Sequence, residues 1–162
     1  QIASAWFSNL GSVKLAQLEL ANWPDREAMK EPSPEELRSV ESYFERSIHL
    51  NPANRTGHYR LGLTAFRQGD FDTAIKFLER SHQIDNSHRG IHKALGYSYV
   101  WEGRIEEAFE LLIEIPEARY EMNIYAGWWG RQGREDLQQK SVEISQMLGE
   151  AGVPINSNPS AE

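Results

Sequence analysis

Five histidines, at positions 49, 58, 82, 88 and 92, are the first residues to weigh for chemistry. His88 and His92 stand four apart, as two zinc ligands on one helix can. No glutamate follows in the metalloprotease pattern, and His88 falls before the next helix begins, so no metal ion is expected. Among the carboxylates, Glu106, Glu107 and Glu110 occupy ordinary exposed helical positions. Serine stands beside histidine at Ser81-His82 and Ser87-His88, but without the strained turn that presents a nucleophile. Gly127, Gly130 and Gly133 recur every three residues and follow no strand, which is not a phosphate cradle. No catalytic residue and no cofactor are therefore expected, and the chain reads as a non-enzyme. Arg119, Tyr120, Trp128, Trp129, Arg131 and Arg134 form a basic and aromatic cluster. An anionic glycan, a phosphate or an acidic peptide could use it; the alternative is that Trp128 and Trp129 seal the last helix pair.

The elements that would hold such residues are set by composition and period. The chain has 162 residues, 40% of them apolar, enough for one continuous core. Its hydrophobic runs are too short to cross a bilayer, and it lacks the basic start and apolar middle of a targeting peptide. A start at Gln1 rather than methionine is expected of a domain excised from a longer protein. Cysteine is absent, which excludes disulfides and thiolate metal sites. The net charge is −7 with Lys and Arg scattered, so nucleic acid is not an expected partner.

The strongest signal is internal repetition. Leu61-Gly62 recurs as Leu95-Gly96, Gly69 as Gly103, Phe71 as Ile105 and Ala74 as Ala108, each 34 positions on. A period of about 34 residues belongs to a solenoid of paired helices. Unit 53–86 has a first helix with Leu61, Gly62, Ala65 and Phe66, stopped by Gly69, where a left-handed residue is needed. Its second helix sets Phe71, Ala74, Ile75, Leu78, Ser81 and Ile84 on one face. Unit 87–116 repeats this and stops early at Pro116. Unit 117–149 is degenerate: if Gly133 matches Gly103, four residues are missing, and no alanine stands where Ala74 and Ala108 do. Its last helix has the seam Leu137, Ser141, Ile144 and Leu148.

Unit 3–52 is split. Gly11 and Val40 enclose roughly 17 extra residues relative to the repeat period, an insertion over about 21–36 containing Trp23-Pro24-Asp25-Arg26. Ser33-Pro34-x-Glu36 reads as a capping box that restarts the helix. The loop before it is long enough to be functional. Residues 1–150 form the repeat domain, and 151–162 read as a disordered tail or linker.

These residues resemble the tetratricopeptide repeat, well in the two middle units and less at both ends. The resemblance implies an all-α, right-handed solenoid of about four helix–turn–helix units. It also implies a concave groove, lined by the first helix of each unit, that binds a peptide or protein segment. By position the lining falls on Ser8 and Ser12, then on Tyr59, Leu63, Phe66 and Arg67. Lys93, Tyr97, Val100 and Trp101 follow, and finally Asn123. Affinity would come from Tyr59, Phe66, Tyr97 and Trp101, with Lys93 and Arg67 orienting polar or acidic groups; the alternative is that these aromatics pack only against neighbouring helices. The carboxylate clamp of some family members is not expected, because Tyr97, Leu63 and Ser12 replace its asparagines. A narrower similarity, carried by Trp23–Arg26, Leu95–Trp101, Ile115–Ala118 and Tyr125–Trp129, is to tails of bacterial O-antigen ligase and polymerase-type membrane proteins. It implies an extracytoplasmic accessory domain, not itself membrane-spanning, that contacts glycan or partner subunits. A third reading buries the groove in a second copy, as a homo-oligomer.

Overall fold

The computed structural model describes residues 1–21 and 32–155. Within them lie helices α1 (Ile2–Glu19), α2 (Pro34–Leu50), α3 (Arg55–Arg67), α4 (Phe71–Ile84), α5 (Arg89–Glu102), α6 (Ile105–Leu112), α7 (Ala118–Arg131) and α8 (Glu135–Glu150). The described residues contain no strand, so the expected all-α class holds. None of the helices is long and apolar enough to cross a membrane. The chain divides into two compact units, 1–85 and 86–162; α1 packs on α2, α2 on α3 and α3 on α4 in the first, and α5 on α6 and α7 on α8 in the second. Trp23–Arg26 and most of the inserted segment lie outside the described residues, as does the end of the tail.

One contact explains the repeat. A Cβ on Gly62 would lie 2.6 Å from Leu78 Cγ, and one on Gly96 the same distance from Leu112 Cδ2. In both pairs the glycine precedes its partner by 16 positions, so the small residue lets the second helix seat a buried leucine against the first. Gly11 meets Phe44 in the same way, with Phe44 Cε1 2.8 Å from the added Cβ. There the two residues are 33 apart, so the chain spends the 17 inserted residues outside this contact. Gly69, Gly103 and Gly133 end the first helices at φ of 77°, 83° and 70°, where any Cβ would strain the backbone.

The first unit is tied together by polar groups as well as by the core of Leu15, Leu37, Val40, Phe44 and Leu61. Ser33 accepts from the Glu36 amide while the Glu36 carboxylate accepts from the Ser33 amide, closing the capping box that restarts the chain. Asn54 caps α3 by accepting from the Gly57 amide at 2.8 Å, and its amide donates to Ser4 Oγ on α1 at 2.7 Å. Ser4 in turn donates to the Ser47 carbonyl of α2 at 2.8 Å. Three helices thus share one chain of satisfied groups. His58 is buried, with Nε2 3.0 Å from the Pro52 carbonyl. Burial pushes its pKa below the usual histidine value, with Arg80 adding to the effect and the Pro52 bond opposing it.

The second unit departs from the first. In 1–85, the first helix of the second pair, α3, packs on α1 and α2. In 86–162 it is the backbone of the second helix, α8, that comes close to α5 and α6, while α7 meets α5 through its side chains. Two local features account for this. Helix α6 has only 8 residues before the turn that carries Pro116. The buried seam of α8 falls on Leu137, Ser141, Ile144, Ser145 and Leu148, while Gln138 takes the place of the repeat's alanine. Lys140 then donates to the Trp101 carbonyl at 2.7 Å, near the end of α5. Val153 is buried past α8, and its carbonyl accepts from Arg119 at 2.9 Å.

Candidate functional site

Helix periodicity places two stripes side by side in the second unit. On α5, Lys93, Tyr97 and Trp101 recur every four residues; at α7, Glu117, Glu121, Tyr125 and Trp129 do the same. The stripes interlock. Lys93 Nζ lies 2.7 Å from Glu121 Oε1 and 3.2 Å from Glu117 Oε1, and Arg89 also pairs with Glu117. Tyr97 Oη donates to Glu121 Oε2 at 2.7 Å. Above the ions, rings meet edge to face: Tyr97–Tyr125 at 5.8 Å, Trp101–Tyr125 at 5.0 Å and Trp101–Trp129 at 5.6 Å between centroids.

The electrostatics follow from partial burial of a balanced cluster. Burial alone would push the Glu117 carboxyl up, but a backbone hydrogen bond, Lys93 and Arg89 outweigh it and hold it below the usual carboxylate range. Burial would lower Lys93, yet Glu121 and Glu117 keep its ammonium charged beyond its ordinary range. Burial and the Glu121 carboxylate both push the Tyr97 phenol well up, so it remains a donor. Tyr125 is raised for the same two reasons. Two cations and two carboxylates cancel.

The expected groove residues are distributed differently from their positions in the sequence. Tyr97 and Trp101 are 3% and 4% exposed and Val100 is fully buried, so these side chains support the surface from beneath. Lys93 is committed to two carboxylates rather than held out for an acidic ligand. Asn123 turns toward α8, donating to the Arg119 carbonyl at 2.8 Å and to Ser145 Oγ at 2.7 Å. In the first unit Tyr59, Leu63 and Phe66 are half-buried, with Phe66 packed edge-on to Phe71. Arg67 is exposed and pairs with Glu19. Ser8 and Ser12 donate within α1, to the Ala5 and Ser8 carbonyls.

What the second unit does present is the outer face of α7. Tyr120, Glu121, Ile124, Tyr125, Trp128 and Arg131 line an open cavity of about 550 Å³. Tyr120, Ile124 and Trp128 are all exposed, an apolar strip at spacings of four along one helix. The basic and aromatic cluster of the sequence is split here. Arg119 turns to Val153, Arg134 pairs with Asp136 and lies over Trp129, and only Tyr120, Trp128 and Arg131 share the cavity. Sequence reasoning passed over Glu117, Glu121, Ile124 and Tyr125. The spacing of four from Glu117 to Trp129 was the signal that could have found the first two and Tyr125. Among the described residues, no group of three or more His, Cys, Asp or Glu could hold a metal ion.

The class of protein is a helical repeat. Residues 65–125 match the family model of the tetratricopeptide repeat. Solved structures with a similar course include "MamA MSR-1 C2", 16% identical, covering 93% of this chain and 99% of that one at a TM-score of 0.48. "MamA AMB-1 C2221" is 18% identical over 91% of this chain and 99% of that one, again at 0.48. "MamA AMB-1 P212121" is 16% identical over 99% of both, with the same TM-score. No curated protein matches the chain. The family match concerns the repeat, and leaves the likeness to O-antigen ligase tails without support.

Proposed function

We propose that this chain is a non-catalytic scaffold that binds an apolar segment of a partner protein on the first-helix faces of its repeats. Repeat arrays of this family build binding surfaces rather than reaction centres, and protein is the partner class they serve. The observation that carries the reading is the exposed strip Tyr120, Ile124 and Trp128 over an open cavity, backed by a layer of rings packed edge to face. Trp and Tyr anchors set on a preorganised base are the residues that dominate binding energy at interfaces. Arg131 at the rim suits an acidic group on the bound segment. In the first unit Tyr59, Leu63, Phe66 and Arg67 would offer a contact surface of their own. Lys93, Tyr97 and Trp101 act from behind, by fixing Glu121 and Tyr125.

A random-peptide display library selected on the full chain tests this. The expected winners carry two or more apolar or aromatic residues and an acidic one. Trp128→Ala should weaken them about tenfold or more, in line with loss of a hot-spot aromatic. Because Trp128 is exposed, helicity should survive the change. Selected peptides that bind Trp128→Ala and Ile124→Ala variants as tightly as the wild type would sink the proposal.

A further inference from the structure

A second apolar surface lies at the other end of the chain, on α1. That helix has only two charged side chains, and both are engaged: Lys14 lies over the Tyr43 ring and Glu19 pairs with Arg67. Its outward residues Ile2, Trp6, Asn9, Val13 and Ala16, with Leu20 at the C-cap, are all exposed, Ile2 at 90% and Trp6 at 58%. They recur at alternating intervals of four and three, the 3.5-residue period of a helix seam that faces another helix.

The pattern also says which helix. Run against a second copy of itself in the opposite direction, the seam pairs Ile2 with Leu20, Trp6 with Ala16 and Asn9 with Val13. Apolar ends meet, and the largest side chain falls opposite the smallest. The one polar position, Asn9, sits near the two-fold axis. No charge faces a like charge across the axis. A closed two-fold contact needs such self-complementarity, and a heterologous partner would not require it. We infer that α1 is a self-association surface, on which two copies of this chain pair antiparallel across a two-fold axis. A helix about 27 Å long and about 10–12 Å wide buries roughly 300 Å² per copy, below the roughly 800 Å² of a stable interface. The pair is therefore a weak, reversible dimer that forms as concentration rises.

Sedimentation equilibrium of the full chain at increasing concentration should show the mass climbing from 18.6 kDa toward twice that value. Trp6→Ala should shift the midpoint to at least tenfold higher concentration, with helicity unchanged. Adding Ala16→Trp to that variant should restore pairing, because positions 6 and 16 meet across the axis. The chain has no cysteine, so an Asn9→Cys, Val13→Cys variant offers a second reading. Under mild oxidation it should cross-link as a covalent dimer. A mass that stays at 18.6 kDa throughout overturns the inference. So does a dimer indifferent to Trp6→Ala, or one that the Ala16→Trp exchange fails to restore.

Discussion

At the scale of single residues, Glu121 is the hinge of the second unit's surface. It accepts from Tyr97 and Lys93 with its two oxygens, and so joins the ion cluster to the ring layer. Tyr97 is nearly fully buried, and its hydroxyl is a donor to a charged acceptor. Tyr97→Phe keeps the ring and its contacts with Tyr125 and Trp101 but deletes that bond. A hydrogen bond to a charged group contributes about 1.5–3 kcal/mol, so thermal or denaturant unfolding should show a loss of that order. Trp128→Ala should cost much less stability while costing more binding. A Tyr97→Phe variant as stable as the parent would mean that Lys93 alone satisfies the carboxylate.

At the scale of the helix, the glycine–leucine contact decides the repeat, and it does so through space rather than backbone freedom. Gly96 and Gly127 both lie in helix interiors, where Gly→Ala ordinarily gains about 0.5–1 kcal/mol. At Gly127 the new Cβ would meet only Arg131 Nη1, at 3.6 Å, so Gly127→Ala should raise the melting temperature. At Gly96 it would press on Leu112, which is fully buried and has nowhere to move. Overpacking costs about 1–3 kcal/mol, which outweighs the helix gain, and Gly96→Ala should lower the melting temperature. Paired calorimetric melts read both signs in one experiment. This contact is also why the helical repeat was legible in the sequence. Gly11, Gly62 and Gly96 have to be small, and the period between them survives an insertion of 17 residues. Aromatics at helical spacing left both groove and core open for Tyr97 and Trp101, and the choice depends on which residues of α7 lie over α5. That follows from the short α6 and the rotated seam of α8, neither of which a repeat period encodes. The accessible surface therefore moved from the middle of α5 to Tyr120, Ile124 and Trp128.

At the scale of the whole molecule, acid should act on the two units in different pH ranges. His58 belongs to the first unit and is held neutral, its pKa lowered below 6.5 by burial. The unfolded chain binds that proton more readily than the folded one. Stability is then complete above pH 6.5 and declines as pH falls from 6.5 toward the lower folded value. Glu117 belongs to the second unit, where its carboxyl is held below the ordinary 4.5 despite burial. Its contribution is present above pH 4.5 and is lost as pH falls through the depressed folded value. Amide hydrogen exchange resolved by peptide should show protection in α3 weakening once the pH drops below 6.5. Protection in α5 and α7 should hold until the pH falls below 4.5. His58→Phe, which fills the same buried space without a proton to bind, should remove the first loss and leave the second in place. If protection in both units fell together in wild type and variant alike, the burial of His58 would not govern the first unit. Acid unfolding would then follow the summed protonation of the 24 acidic side chains.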